Sequence, residues 1–249
     1  MNKKLMLATN IYSIDALPYA SHLSMIYRIG KNLPDWELMF SGPWRMPIDV
    51  ARNNTVEEAL KADCQYLMFY DDDMVVHPDI VERLLSRKKD VIMGLCYIRG
   101  YPFEPMMFRF NKDGNLIRYP LKEEDVEDGL IKVDAVGCAV TLINCEVFKK
   151  IPSPWFVTGK THTEDIYFCM KGREYLENFE VYVDTTVESG HMLDKPVLNS
   201  FSKKLLKDIQ EQGANQIWQP SSFYSKGKAP EEVSPNILFD KEIENGKDT

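Results

Sequence analysis

The chain has 249 residues, 44% of them apolar, with 30 basic against 38 acidic side chains and a formal net charge of −8. That length and apolar content suffice for one large α/β domain or two small ones, which excludes a chain disordered throughout. The negative charge argues against nonspecific nucleic-acid affinity, which needs clustered Lys and Arg.

No run of about 18 apolar residues occurs. The start, Met1-Asn2-Lys3-Lys4-Leu5, carries only a short apolar stretch, so neither a secretion signal nor a membrane anchor is expected, and a cytoplasmic protein is. Cys64, Cys96, Cys138, Cys145 and Cys169 are scattered and odd in number, a pattern that predicts reduced core thiols and not a zinc site or a disulfide framework.

In chain order, residues 3–9 (KKLMLAT) read as a strand, and residues 15–32 as a helix with Met25, Ile26 and Ile29 on its buried side. Trp36 to Phe40 is a second strand, ended by Ser41-Gly42-Pro43. Asn54 followed by Glu57 resembles a capped helix start, with Val56, Ala59 and Leu60 at helical spacing. Gln65 to Tyr70 is a near-continuous apolar run, as expected of a strand buried on both faces of a parallel sheet, and it stops at Asp71-Asp72-Asp73. His77-Pro78-Asp79 opens the next helix, with Pro78 at its first position and Ile80, Val81, Leu84 and Leu85 along one side. Asp90 to Tyr97 is the following strand.

Met106 to Phe110 and Leu116 to Tyr119, joined by Lys112-Asp113-Gly114-Asn115, read as a hairpin, so antiparallel structure joins the parallel half. Ile131 to Ile143 is a second apolar run, broken by Asp134 and Gly137, with a short helix after it at Glu146 to Lys149. Glu164 to Leu176 reads as helical and Val181 to Val183 as the last strand. Leu198 to Gln210 reads as an amphipathic helix ahead of a Pro/Ser/Gly/Lys-rich tail. The predicted fold class is α/β, a mixed sheet flanked by helices, in a domain over residues 1–194 followed by a helical extension and a partly flexible tail over 195–249.

Carboxylates just after a buried parallel strand lie at its carboxyl end, where open α/β sheets bind ligands. Asp71 and Asp73 there offer oxygen ligands to a hard divalent cation, magnesium or manganese, which bridges the phosphates of a nucleotide diphosphate. Asp72 can reach a ribose or help to hold the metal. A triple aspartate alone is a solvated turn. The apolar run before it and Met74-Val75-Val76 after it argue otherwise, because three carboxylates are costly to desolvate without a cation.

The segment from Gln65 to Val75 resembles the strand and DxD motif of GT-A glycosyltransferases of the family-two type. Further segments resemble that family in the same order. Val50-Ala51-Arg52-Asn53-Asn54 is similar to its Arg-Asn element, which opens the helix before the DxD strand, and Val133 to Ala139 to the strand and glycine turn lining its acceptor side. Thr163-Glu164-Asp165-Ile166-Tyr167-Phe168 resembles its Glu-Asp motif, and Gly190-His191 its late metal-binding histidine. The match covers roughly residues 3–192.

The resemblance implies a GT-A, Rossmann-like mixed sheet with an antiparallel acceptor-side half, and hexosyltransferase activity with a nucleotide-sugar donor, a UDP-sugar favoured. It implies Mn2+ or Mg2+ held by Asp71, Asp73 and His191, and Asp165 as the general base with Glu164 orienting the acceptor. Arg52 would contact donor phosphate or ribose, and Thr9 and Asn10 the nucleotide. Plainer roles stay open: acids decorating a helix start that Thr163 caps, an ordinary histidine, a surface arginine, residues that merely end a strand. Gly137 fits either a close approach of the acceptor or a turn, and Trp155-Phe156 either stacking or core packing.

Asp165 as base fits an inverting displacement, although retaining members share the fold and the DxD motif. Two rivals stand beside this reading, a two-carboxylate glycoside hydrolase and a non-catalytic nucleotide- or sugar-binding module. The hydroxyl acceptor is open among a glycan, a protein, a small molecule and hydroxymethylated pyrimidines in viral DNA. For DNA the basic cluster on offer is Lys203, Lys204 and Lys207 with Lys226 and Lys228.

Overall fold

A computed structural model describes residues 3–193, 197–200, 203, 204 and 207. They belong to one compact unit, Met1–Ile209. The first half alternates strands and helices: β1 (Lys3–Ala8), α1 (Ala16–Asn32), β2 (Trp36–Ser41), α2 (Ile48–Lys61), β3 (Tyr66–Tyr70), β4 (Met74–Val75), α3 (Ile80–Ser86) and β5 (Val91–Leu95). The second half is strand-rich: β6 (Met107–Phe110), β7 (Leu116–Arg118), β8 (Leu130–Val133), β9 (Ala135–Val136), β10 (Val140–Asn144), α4 (Cys145–Lys150), α5 (Glu164–Tyr175), β11 (Val181–Glu188), β12 (Gly190–Met192) and β13 (Val197–Leu198).

Seven strands form the main sheet in the order β2-β1-β3-β10-β5-β11-β8. The pairs β1–β2, β1–β3 and β5–β11 are parallel, while β10 runs antiparallel to both β3 and β5, and β8 antiparallel to β11. The expected mixed sheet flanked by helices is what the chain forms. Alternation along β3 shows the two helical layers: Tyr70 meets His22 of α1, with ring centroids 4.7 Å apart, whereas Phe69 lies under the Arg52 guanidinium of α2 at 4.8 Å. Successive side chains of a strand point to opposite faces, so α1 and α2 cover opposite sides.

The core is aromatic on the α2 side. Phe156 stacks on Phe168 at 5.1 Å and meets Phe69 edge-on at 5.7 Å. Trp155 is buried beside them, and its Nε1–H donates to the Phe148 and Ile151 carbonyls at 2.9 Å each. Both residues of the Trp155-Phe156 pair are therefore packing residues. All five cysteines are free and buried, and burial pushes the Cys145 and Cys169 thiols up to about 12. A thiol-reactive dye should accordingly leave the native protein unmodified at pH 8 and titrate five thiols after denaturation; fast labelling of the folded chain would contradict this core.

Several boundaries differ from expectation for local reasons. Helix α2 begins at Ile48 behind Pro47, so Asn54 lies inside the helix and caps nothing. Its neighbour Asn53 bridges instead, donating to the Asp49 and Phe156 carbonyls at 2.8 and 2.7 Å and accepting from the Trp155 N–H at 2.9 Å. Pro78 precedes α3 and does not occupy its first position, since Asp79 is the cap residue. The run over 131–143 divides into three strands at Asp134 and at Gly137 to Ala139.

Val181 begins an eight-residue strand that is not the last, because β12 and β13 follow it. Leu198 belongs to β13, where it pairs with His191, and not to the helix expected from that residue, whose described turn starts at Ser200. The rest of that expected helix, the tail, and Lys226 and Lys228 lie outside the described residues. No helix among the described residues is long and apolar enough to cross a membrane.

Candidate active site

The site is built at the carboxyl end of β1 and β3, from the loops that leave them. Asp71 continues the alternation of Phe69 and so emerges on the α2 face, where Arg52 waits. Arg52 is 2% exposed and carries three partners. Its Nη2 donates to Asp71 Oδ1 at 3.1 Å, its Nε to Glu164 Oε1 at 3.0 Å, and its Nη1 to the Cys138 carbonyl at 3.4 Å.

Burial opposes the guanidinium charge, but the surrounding carboxylates outweigh it and hold its pKa above the ordinary arginine value. Burial likewise pushes the Asp71 and Glu164 carboxyls up, with Arg52 pulling each back down. An unpartnered charge here would be costly, and the plane of Arg52 over Phe69 with two carboxylates at its edge is what makes its burial tolerable.

Asp72 points the other way. Its Oδ2 accepts from the backbone N–H groups of Tyr12 and Ser13 at 2.6 and 2.8 Å, which ties the loop after β1 to the aspartate triplet. Asp73 faces a third direction, with Oδ2 at 3.3 Å from His191 Nε2 and 3.2 Å from Arg99 Nη1. Burial raises its pKa, but His191 and Arg99 together hold it below the usual carboxylate value.

His191 is placed by two sets of backbone bonds. β12 pairs antiparallel with β4, setting His191 opposite Met74, and the Met192 N–H donates to the Asp73 carbonyl at 2.9 Å. His191 Nδ1 lies 2.8 Å from the Tyr97 carbonyl. A carbonyl only accepts, so Nδ1 carries a proton and Nε2 is the nitrogen turned to Asp73. A histidine that ligates a metal is commonly oriented in this way, by a hydrogen bond at its far nitrogen.

Asp73 Oδ2 and His191 Nε2, 3.3 Å apart, are a carboxylate oxygen and an imidazole nitrogen of the kind that would hold a divalent cation. Asp71 lines the cavity beside the triplet, and its Oδ1 and Oδ2 accept from Arg52 Nη2 at 3.1 and 3.4 Å. No group of three or more His, Cys, Asp or Glu side chains is gathered as a ligand set among the described residues. Asp73 and His191 are the residues that would hold a divalent cation here, and the cation would supply positive charge at this end of the sheet.

A cavity of about 240 Å³ opens beside the triplet, lined by Asn10, Tyr12, Arg45 and Met46 together with Asp71 to Asp73. Its rim is the paired continuation of β1 and β2: the Ile11 N–H donates to the Pro43 carbonyl and the Arg45 N–H to the Ile11 carbonyl, both at 2.9 Å. Arg45 lies between the rings of Tyr12 and Trp44, at 5.2 and 5.3 Å. Thr9 Oγ1 and Asn10 Nδ2 are buried with no hydrogen-bond partner. Such orphans are rare in a folded chain and call for a partner.

Glu164 and Asp165 start α5, as expected. Thr163 stands at the cap position, yet its hydroxyl bonds the Asp165 carboxylate and not the backbone of the helix. Asp165 Oδ1 also accepts from the Ile166 N–H at 2.7 Å. Gly137 is pressed between Met106 and this carboxylate: a Cβ there would stand 2.4 Å from Met106 Cε and 3.4 Å from Asp165 Oδ2. Its bareness serves a close approach of protein to protein.

Arg52, Asp71, Glu164 and Asp165 therefore gather at one end of the sheet, with Asp73 and His191 beside them. Arg99, the Tyr97 carbonyl and Arg45 belong to the same region and were not singled out in the sequence. The rule that points to Asp71 also points to Arg99, since Arg99 follows the carboxyl end of β5.

No protein-family model matches the chain, and no curated protein does. Among solved structures it is similar to A197 from STIV, with 22% identity over 79% of this chain and 93% of that one and a TM-score of 0.49. A UDP-glucose pyrophosphorylase complexed with UDP-glucose aligns at 8% identity over 85% of this chain and 99% of that one, with a TM-score of 0.48. S. aureus TarS 1-349 aligns at 11% identity over 74% and 60%, with a TM-score of 0.40. Likenesses of this strength leave the functional argument to the chemistry of the site itself.

Proposed function

We propose that the chain is a metal-dependent glycosyltransferase that moves a sugar from a nucleotide diphosphate sugar, with a UDP-sugar favoured, to an acceptor hydroxyl. The observation that carries this reading is the Asp73–His191 pair, a carboxylate and an oriented imidazole 3.3 Å apart at the carboxyl end of the central strands, beside a cavity lined by Asn10, whose amide nitrogen has no partner. A manganese or magnesium ion bound there would offset the charge developing on the departing diphosphate.

The chain's own groups take the remaining tasks. The Asn10 amide and the Thr9 hydroxyl supply hydrogen bonds to the nucleotide. Asp72 keeps the loop that carries Tyr12 in place. Asp165 accepts the proton of the attacking hydroxyl, and Arg52 acts as a positioning residue that locks Asp71 and Glu164 without touching the donor.

Thermal melting in the presence of UDP, GDP, CDP or ADP, each with and without manganese, tests the donor half. One nucleotide with metal should raise the melting temperature by about 5–10 °C at a hundredfold excess over its dissociation constant, and neither component alone should do so. Asp165→Asn should keep that shift and lose transfer and donor hydrolysis. No shift with any nucleotide would overturn the reading. Metal-dependent binding without turnover for every donor would identify a binding module instead.

A further inference from the structure

Helix α1 buries Pro18, His22, Met25 and Ile29 and turns another side to solvent. On that side Tyr19 is 53%, Leu23 48% and Tyr27 73% exposed. These three stand four residues apart, and the same step leads back to Asp15 and on to Lys31, both exposed and neither in an ion pair among the described residues. The row reads acidic, aromatic, aliphatic, aromatic, basic. Read from the other end it has the same apolar order with the charges exchanged.

Such a row is complementary to itself under a two-fold axis through Leu23, which sets Tyr19 opposite Tyr27 and Asp15 opposite Lys31 of the other copy. We propose that α1 is the interface of an isologous homodimer, with a second copy of this chain laid antiparallel across it.

A cavity beside this row gives room for the tyrosine of the other copy. Beside the Tyr-Leu-Tyr row runs a row of small residues, Ala16, Ala20 and Ser24, ending at Arg28. Leu23, Ser24, Tyr27 and Arg28 line a cavity of about 510 Å³, with Lys31 at its end. In the two-fold arrangement the other copy's Tyr19 enters this cavity, and the symmetric contact fills its equal. An unrelated partner would have no reason to match a row whose charges reverse about its own midpoint, whereas a second copy matches it by construction.

Sedimentation velocity on the full chain over a dilution series tests the proposal. The wild type should pass from the monomer mass toward twice that mass as concentration rises. Leu23→Asp puts two carboxylates together on the axis and should give monomer throughout. Asp15→Lys and Lys31→Asp each set like charges opposite one another and should raise the dimer dissociation constant at least about tenfold. The double variant restores opposite charges and should return to wild-type association.

Far-UV melting of each variant confirms that the fold survives, as exposed positions allow; the Asp15 side chain makes no cap bond that would be lost. A wild type that stays monomeric over the series would overturn the inference. So would singles that associate as well as wild type, or a double variant no better than the singles.

Discussion

Asp73→Asn is expected to abolish manganese-dependent nucleotide binding while leaving the protein folded, read by titration calorimetry with the nucleotide found in the melting screen. The amide keeps the shape of the side chain but withdraws the negative oxygen that His191 Nε2 and Arg99 both approach. Without that oxygen the proposed metal would lose one of its two protein ligands, and affinity should fall by more than the 10- to 100-fold typical of losing a supporting hydrogen bond to a metal site.

Stability should change little, about 1 kcal/mol or less, because Arg99 is 57% exposed and ion pairs in contact with water contribute weakly. Chelation by EDTA should reproduce the variant's phenotype in the wild type. Unchanged metal-dependent binding by Asp73→Asn would remove the metal assignment, whatever the fate of the rest of the reading.

The second large effect is on the fold. Arg52→Ala leaves Asp71 and the 6% exposed Glu164 without their shared counter-charge, and breaking a buried pair in this way costs about 3–5 kcal/mol. For a unit of this size that lowers the melting temperature by about 6–20 °C. Arg52→Lys should recover only part of the loss, since one ammonium cannot reach Asp71, Glu164 and the Cys138 carbonyl together.

The pH dependence carries a sign that a simple packing defect lacks. Burial already raises both carboxyls, and removal of Arg52 raises them further. A carboxyl whose pKa is higher in the folded state favours folding when protonated, and that contribution is lost as the pH rises through the folded value. The deficit of Arg52→Ala should therefore be largest at neutral pH and shrink on acidification toward the ordinary carboxylate range. A deficit independent of pH, or absent at pH 7, would show that Arg52 is not holding these charges.

Much of this arrangement is legible in the sequence. The run from Tyr66 to Tyr70 announces a strand buried on both faces, and the position of Asp71 to Asp73 after it announces a ligand-binding end, because hydrophobic alternation and strand polarity are local properties. Asn54 shows where such reasoning stops: a capping pattern lay in the middle of a helix, since Pro47 and the anchoring of Asn53 to residues 155 and 156 set the start earlier. The three aspartates show the same limit more sharply. Consecutive in sequence, they serve three different partners: Arg52, the loop after β1, and His191 with Arg99.

By itself, the sequence determined the α/β order of elements, the buried state of the thiols, and the place of Asp71 to Asp73 after a buried strand, all of which follow from periodicity and residue type, whereas Glu164, Asp165 and His191 are pointed to only by the family resemblance. The tertiary structure alone decided which carboxylate faces which cation. That choice depends on contacts such as Arg52 to Glu164, 112 residues apart, and His191 to Asp73, 118 residues apart. No local pattern encodes such distances, and only the packing of α2 and β12 onto the end of β3 brings those charges within reach of one another.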